Sequence, residues 1–111
     1  MTRDYFDLIP VIKEEHSWKI DLNKNVVIHM NTQGILSRIA ANVFRRPEEQ
    51  EIELDGYGSL VWQKINGTRT IGEIVEELME ELGEEATLAR RRAAMFMEML
   101  RVHGLIRLAE Q

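Results

Sequence analysis

Apolar and polar positions along this chain change period from segment to segment, and each change marks an element. Trp18-Lys19-Ile20-Asp21-Leu22 alternates strictly, the period of a strand with one covered face. Asn23-Lys24-Asn25 breaks the alternation as a turn, with two asparagines that tolerate positive φ. The β-branched run from Val26 to Met30 returns as the second strand of a hairpin, and Asn31 to Gly34 ends it. Ile35, Leu36, Ile39, Ala40, Val43 and Phe44 then recur at helical spacing, which predicts a short helix over 35–46 that Pro47 terminates. Ile52 and Leu54 alternate with Glu51 and Glu53, a third strand.

Helical periods take over from Asp55, a natural N-cap whose carboxylate can accept from the free amides of the next turn. Leu60, Val61, Lys64 and Ile65 recur at helical spacing with Trp62 on a flank, and Asn66-Gly67 closes that helix. Thr70 and Glu73 form a capping box for the next one. Its stripe is Ile71, Ile74, Val75, Leu78, Met79 and Leu82, with Glu76, Glu77, Glu80 and Glu81 on the other side and Gly83 at its end. A last helix is expected over 85–103, burying Leu88, Met95, Phe96, Met99, Leu100 and Val102 and leaving Met97 off that face. Gly104 stops it before a short extended end over 105–108. Residues 1–17 have no clear period around Pro10, yet Tyr5, Phe6, Leu8, Ile9, Val11 and Ile12 are too apolar for a plain tail. They read as an arm with a short strand near 8–12, packed on the domain or on a second copy. The fold class is therefore α+β: a winged-helix-like domain over 18–108 with a three-stranded antiparallel sheet followed by a three-helix bundle.

Composition narrows the function more than the fold. A chain of 111 residues supports a single modest core. Cysteine is absent, which excludes disulfides and thiolate metal sites. No run approaches the roughly 18 apolar residues of a membrane span. Met1 to Glu15 lacks a basic region followed by an apolar core, so the expected location is cytoplasmic. The net charge of −5 argues against a general nucleic-acid binder. His16, His29 and His103 are not spaced as paired ligands, so structural or surface roles are expected and no metal or other cofactor. The run from Glu76 to Glu85 lacks the alternating ligands and central glycine of a calcium loop and reads as a solvated face. No nucleophile elbow, phosphate loop or dinucleotide fingerprint is present, so the chain does not read as an enzyme.

The stretch from Ile52 to Ile74 resembles the signature of the coenzyme PQQ synthesis protein D (PqqD) family, small peptide-binding proteins also called RiPP recognition elements. Leu54, Val61, Trp62, Gly67, Thr70, Ile71, Glu73 and Ile74 match the pattern L-N-x-x-A-x-x-I-W-x-L-x-D-G-x-x-T-V-x-E-I in register. Phe96, Met97, Leu100, Gly104, Leu105 and Ile106 match a later F-L-x-x-L-x-x-x-G-L-L. The departures are Asp55 for Asn, Gly58 for Ala, Lys64 for Leu, Asn66 for Asp, and Arg92 where an Asp is usual; residues 35–46 look like an insertion.

The resemblance implies non-catalytic binding of a ribosomally made precursor's leader peptide, presented to a modifying enzyme, often a radical SAM enzyme. The leader would add as a strand along Glu51, Ile52, Glu53 and Leu54, with pockets against the Arg91, Met95 and Met99 side of the last helix. Arginines there would suit acidic leaders. For Arg90 to Arg92 the simpler reading is ion pairing with the glutamates of the preceding helix; for Met95 and Met99 it is core filling, with an adaptable partner surface as the alternative. Two other functions compete: a winged-helix DNA-binding regulator using Arg90 to Arg92 on phosphates, and a structural module that forms a homodimer through residues 1–17.

Overall fold

The structure, a computed structural model, describes residues 4–30 and 50–111, so the helix expected over 35–46 lies outside the described residues. The hairpin forms as expected. β1 (Ile9–Ile12) belongs to the arm; β2 (Ser17–Ile20) and β3 (Val26–Met30) are the hairpin strands, and β4 (Gln50–Glu53) follows. These last three make an antiparallel sheet in the order β2-β3-β4. The turn is built on Asp21: its N–H donates to Asn25 O at 2.9 Å and its carbonyl accepts from Lys24 N at 3.0 Å. Its carboxylate takes the amides of Asn23 and Asn25, both at 2.9 Å. A three-residue loop closed in this way puts its last residue in the left-handed region. That residue is Lys24, with φ of 66°, rather than either asparagine.

The helices are α1 (Gly56–Lys64), α2 (Ile71–Leu82) and α3 (Ala86–Val102). Asp55 caps α1 by accepting from Gly58 N, and Thr70 and Glu73 complete the capping box of α2. Gly83, at φ 67°, ends α2 in the left-handed conformation. The core lies between one sheet face and the helices, with Val26, Ile28 and Leu54 meeting Val61, Trp62, Ile71, Ile74 and Leu78.

The arm packs on its own chain. A 3-10 turn over Tyr5–Asp7 leads into β1, which pairs antiparallel with β5 (Ile106–Ala109), Ile9 opposite Ala109 and Ile12 opposite Ile106. Leu8 O accepts from Ile71 N at 2.8 Å, giving the first free amide of α2 a partner. A Cβ on Gly72 would lie 3.1 Å from Phe6 O, so the absence of a side chain there admits the arm. Tyr5 donates its phenol to Glu98 of α3 at 3.0 Å.

The buried side of α3 differs from the expected one. Ala89, Ala93, Met97 and Leu100 are fully buried, whereas Leu88, Met95 and Val102 are exposed and Phe96 and Met99 half-buried. The period is right but the stripe is rotated. Two alanines, weak as hydrophobic signals, let α3 approach the core closely, and Met97 follows them inward. Met97, expected off the buried face, is 0% exposed, while Met95 is 68% exposed and does not fill the core.

Truncating Met97 to Ala should therefore cost about 2–5 kcal/mol of stability, and Met95→Ala no more than about 0.5 kcal/mol, both read from urea unfolding. The arm supplies a pH-dependent contact. Burial first, then the hydrogen bond and charge of Glu98, hold the Tyr5 phenol well above its ordinary value. A raised folded-state pKa leaves stability intact below the unfolded phenol's value and erodes it as pH climbs beyond about 10. Urea midpoints measured across that window should decline less steeply in Tyr5→Phe than in the parent.

Candidate functional site

β4 is an edge strand whose hydrogen-bonding directions follow from its register. Leu54 N donates to Val26 O at 2.8 Å, and Ile28 faces Ile52 across the ladder. In an antiparallel pair the bonded positions alternate, so Ile52 and Leu54 turn their backbone groups toward β3. Glu51 and Glu53 turn theirs to the outer edge, which pairs with no other strand among the described residues. The Ile52 and Leu54 side chains share the face toward the helices, while Glu51 and Glu53 are exposed on the other. There Glu51 lies 3.3 Å from His29 Nδ1.

Between this edge and α3 runs an open groove of about 530 Å³, lined by Ile52, Glu53, Leu54, Asp55, Tyr57, Arg92, Met95, Phe96 and Met99. Its wall is aromatic: the Tyr57 and Phe96 rings meet edge to face, with centroids 6.0 Å apart at 80°. Gly58 makes this possible, because a Cβ there would lie 3.0 Å from Phe96 Cε1 and 3.1 Å from the capping Asp55 Oδ1. Arg92 stacks its guanidinium 4.0 Å from the Tyr57 ring centroid and pairs with Glu84. Near it, two polar atoms shut off from solvent have no hydrogen-bond partner among the described residues: the Tyr57 hydroxyl and Glu84 Oε1. Burial, which outweighs the nearby Arg92 charge, raises the Tyr57 phenol above its ordinary pKa. It stays protonated at neutral pH, a donor without an acceptor.

Six of the seven residues expected to contact a peptide meet along this edge and groove. Ile52, Glu53, Leu54, Met95 and Met99 line the groove, and Glu51 presents backbone at the edge. Arg91 is exposed and does not line it; the neighbouring Arg92 does. Arg92 does form an ion pair, but with Glu84 in the connection after Gly83 rather than with a glutamate of the preceding helix. Tyr57, Phe96 and Asp55 were not singled out for the site. The helical register carried a signal for Phe96, since Arg92, Phe96 and Met99 are spaced to share a face.

Elsewhere the histidines have structural contacts: His16 Nε2 lies 2.8 Å from Gly104 O, and His103 Nδ1 2.8 Å from Met99 O. Among the described residues no group of three or more His, Asp or Glu could hold a metal, and no helix is long and apolar enough to cross a membrane.

The unpartnered hydroxyl gives Tyr57→Phe a distinctive expectation in the free protein. Removing a buried donor with no acceptor should leave stability unchanged or raise it by up to about 1 kcal/mol. A urea titration checks this, and a loss above that size would mean the hydroxyl has a partner.

No curated protein and no solved structure matches this chain. A protein-family model does: that of Coenzyme PQQ synthesis protein D (PqqD), over residues 25–106. The match takes in β3, β4, all three helices and the edge and groove between them, most of the chain. The chain belongs to the PqqD family.

Proposed function

We propose that this protein binds the leader segment of a ribosomally synthesised precursor peptide as an added strand on β4 and presents it to a modifying enzyme, without catalysing a step itself. At family level the role is established: PqqD proteins are non-catalytic, bind precursor peptides, and associate with a modifying enzyme, the radical SAM protein PqqE. The observation that carries the reading for this chain is the juxtaposition of an apolar groove with a strand edge that pairs with no other strand among the described residues. Backbone groups of Glu51 and Glu53 would pair with the peptide. Alternate peptide side chains would then enter the groove beside Ile52, Met95, Phe96 and Met99. The arginine that would face the peptide is Arg92 rather than Arg91, and its charge is already shared with Glu84. Recognition therefore rests on apolar contact and backbone pairing more than on an acidic leader.

Nothing in the groove favours the DNA-binding alternative, and the two readings differ in salt dependence. Phosphate contacts lose affinity steeply as salt rises, whereas apolar strand addition loses little. Titrating the protein with the leader of a precursor encoded beside it should give an affinity that Met95→Glu weakens about tenfold or more. The helix content should be unchanged, because Met95 is exposed in the free protein. Equal affinity in that variant would exclude the groove as the binding surface.

A further inference from the structure

The arm builds a second groove, on another side of the last helix. An open space of about 660 Å³ lies where the 3-10 turn meets the start of α2 and the first turns of α3. Its floor is apolar, with Phe6 from the arm, Val75 and Met79 from α2, and Ala86 from α3. Carboxylates line it from two elements: Asp4 and Asp7 on the arm, Glu73 and Glu76 on α2. Against these stands a single lining cation among the described residues, Arg90. The groove shares no lining residue with the one beside β4. Arg90 and Arg92 line one groove each and are two helical steps, about 200°, apart on α3, so the openings flank that helix on different sides.

The charges decide what fits. A helix N-terminus attracts anions, and α2 begins here, but its first amides already have partners. Ile71 N donates to Leu8 O at 2.8 Å, and Glu73 N to Thr70 Oγ1 at 3.0 Å. The carboxylates would repel an anion as well. Asp4 and Glu73 each direct one oxygen to a backbone amide, that of Phe6 and that of Thr70. Asp7 and Glu76 are exposed, and no cation pairs with either among the described residues. An apolar floor under unpaired carboxylates matches a segment that carries lysine or arginine beside an apolar side chain.

We propose that this groove docks a basic segment of the modifying enzyme. Lysine or arginine side chains would meet Asp7 and Glu76, and an apolar side chain would reach Phe6 and Met79. The inference rests on the peptide-presenting reading for the identity of the partner. It adds a surface through which the enzyme is held while the β4 edge is left to the leader. The arm supplies half of the acidic rim, and the family match begins only at residue 25, so the groove belongs to this chain's own arm rather than to the family signature.

Calorimetric titration of the full chain with the radical SAM enzyme encoded beside the precursor, at low and at high salt, tests it. The parent should bind, and its affinity should fall as salt rises. The double variant Asp7→Lys/Glu76→Lys, which reverses two exposed charges, should raise the dissociation constant for the enzyme at least about tenfold and leave that for the leader unchanged. Met95→Glu should do the opposite. Circular dichroism confirms that each variant is folded. A double variant that holds the enzyme as tightly as the parent would overturn the proposal. So would a parent that binds the leader but not the enzyme, an outcome that leaves the leader reading in place. A parent that binds the enzyme through the groove but not the leader would contradict that reading and support this one. Self-association of the parent that the double variant abolishes, seen by sedimentation, would also overturn the proposal, since the groove would then receive a second copy.

Discussion

A single buried hydroxyl ties the sheet to the helical layer. Ser59 Oγ, in the second turn of α1, accepts from Val26 N at 2.8 Å and lies 3.2 Å from Leu54 O, to which it donates. Val26 O in turn accepts from Leu54 N at 2.8 Å. The Val26 amide points toward β4 just where that strand ends, so it would be left buried and unpaired without a side chain to meet it. Asp55 reinforces the junction, with its carbonyl accepting from Ser59 N at 2.8 Å and its carboxylate capping at Gly58 N. The position of the β4 edge relative to α1, and hence of Tyr57 in the groove wall, follows from this joint.

Charge buried at the surface of the core is handled by local pairing. Lys64 is almost wholly covered, and its Nζ lies 3.1 Å from Glu77 and 2.7 Å from Glu81. Burial alone would lower its pKa, but the two glutamates outweigh that and hold it above the ordinary lysine value. The acidic side of α2 is thus partly a counter-charge for Lys64, and Glu77 also meets Arg69 at 3.2 Å. The same economy of short contacts explains how this chain departs from its family's signature. Lys64 stands where the pattern has leucine and has two carboxylates to receive it. Asn66 replaces aspartate and still accepts the amides of Thr68 and Arg69, at 3.0 and 2.9 Å. Gly58 replaces alanine and clears space for the Phe96 ring. Arg92, the change that capping chemistry could not rationalise, is absorbed by Glu84 and the Tyr57 face.

Much of the fold was legible because its local signals agree with its tertiary environment. The alternation that starts at Trp18 reappears as β2, although the strand ends at Ile20 and Leu22 already lies in the turn, and the capping box at Thr70 and the Gly83 stop appear as expected. The helical stripe of α2 is also the buried one, apart from Met79, which is half-buried, and Leu82, which is exposed at its end. The miss on α3 has a simple cause. Its inward face is marked by Ala89 and Ala93, which allow close approach but carry little hydrophobic signal, while larger apolar residues decorate its groove side. The site was legible as a strand and a helix, but not in its details. Arg91 and Arg92 differ by one helical step of about 100°, which sequence spacing could not assign until the rotation of α3 was known. Tyr57 and Ser59 were missed because their roles depend on where β3 and β4 end, a property of strand register.

The central claim is that a peptide strand adds to the outer edge of β4, and that edge has a signature residue by residue. The Ile52 and Leu54 amides already bond to β3, whereas those of Glu51 and Glu53 point outward. Amide hydrogen exchange of the protein, measured by NMR with and without saturating leader peptide, reads them separately. Strand addition should slow exchange at Glu51 and Glu53, with Ile52 and Leu54 little changed. A peptide that binds while leaving the Glu51 and Glu53 amides as exchangeable as before would contradict the account.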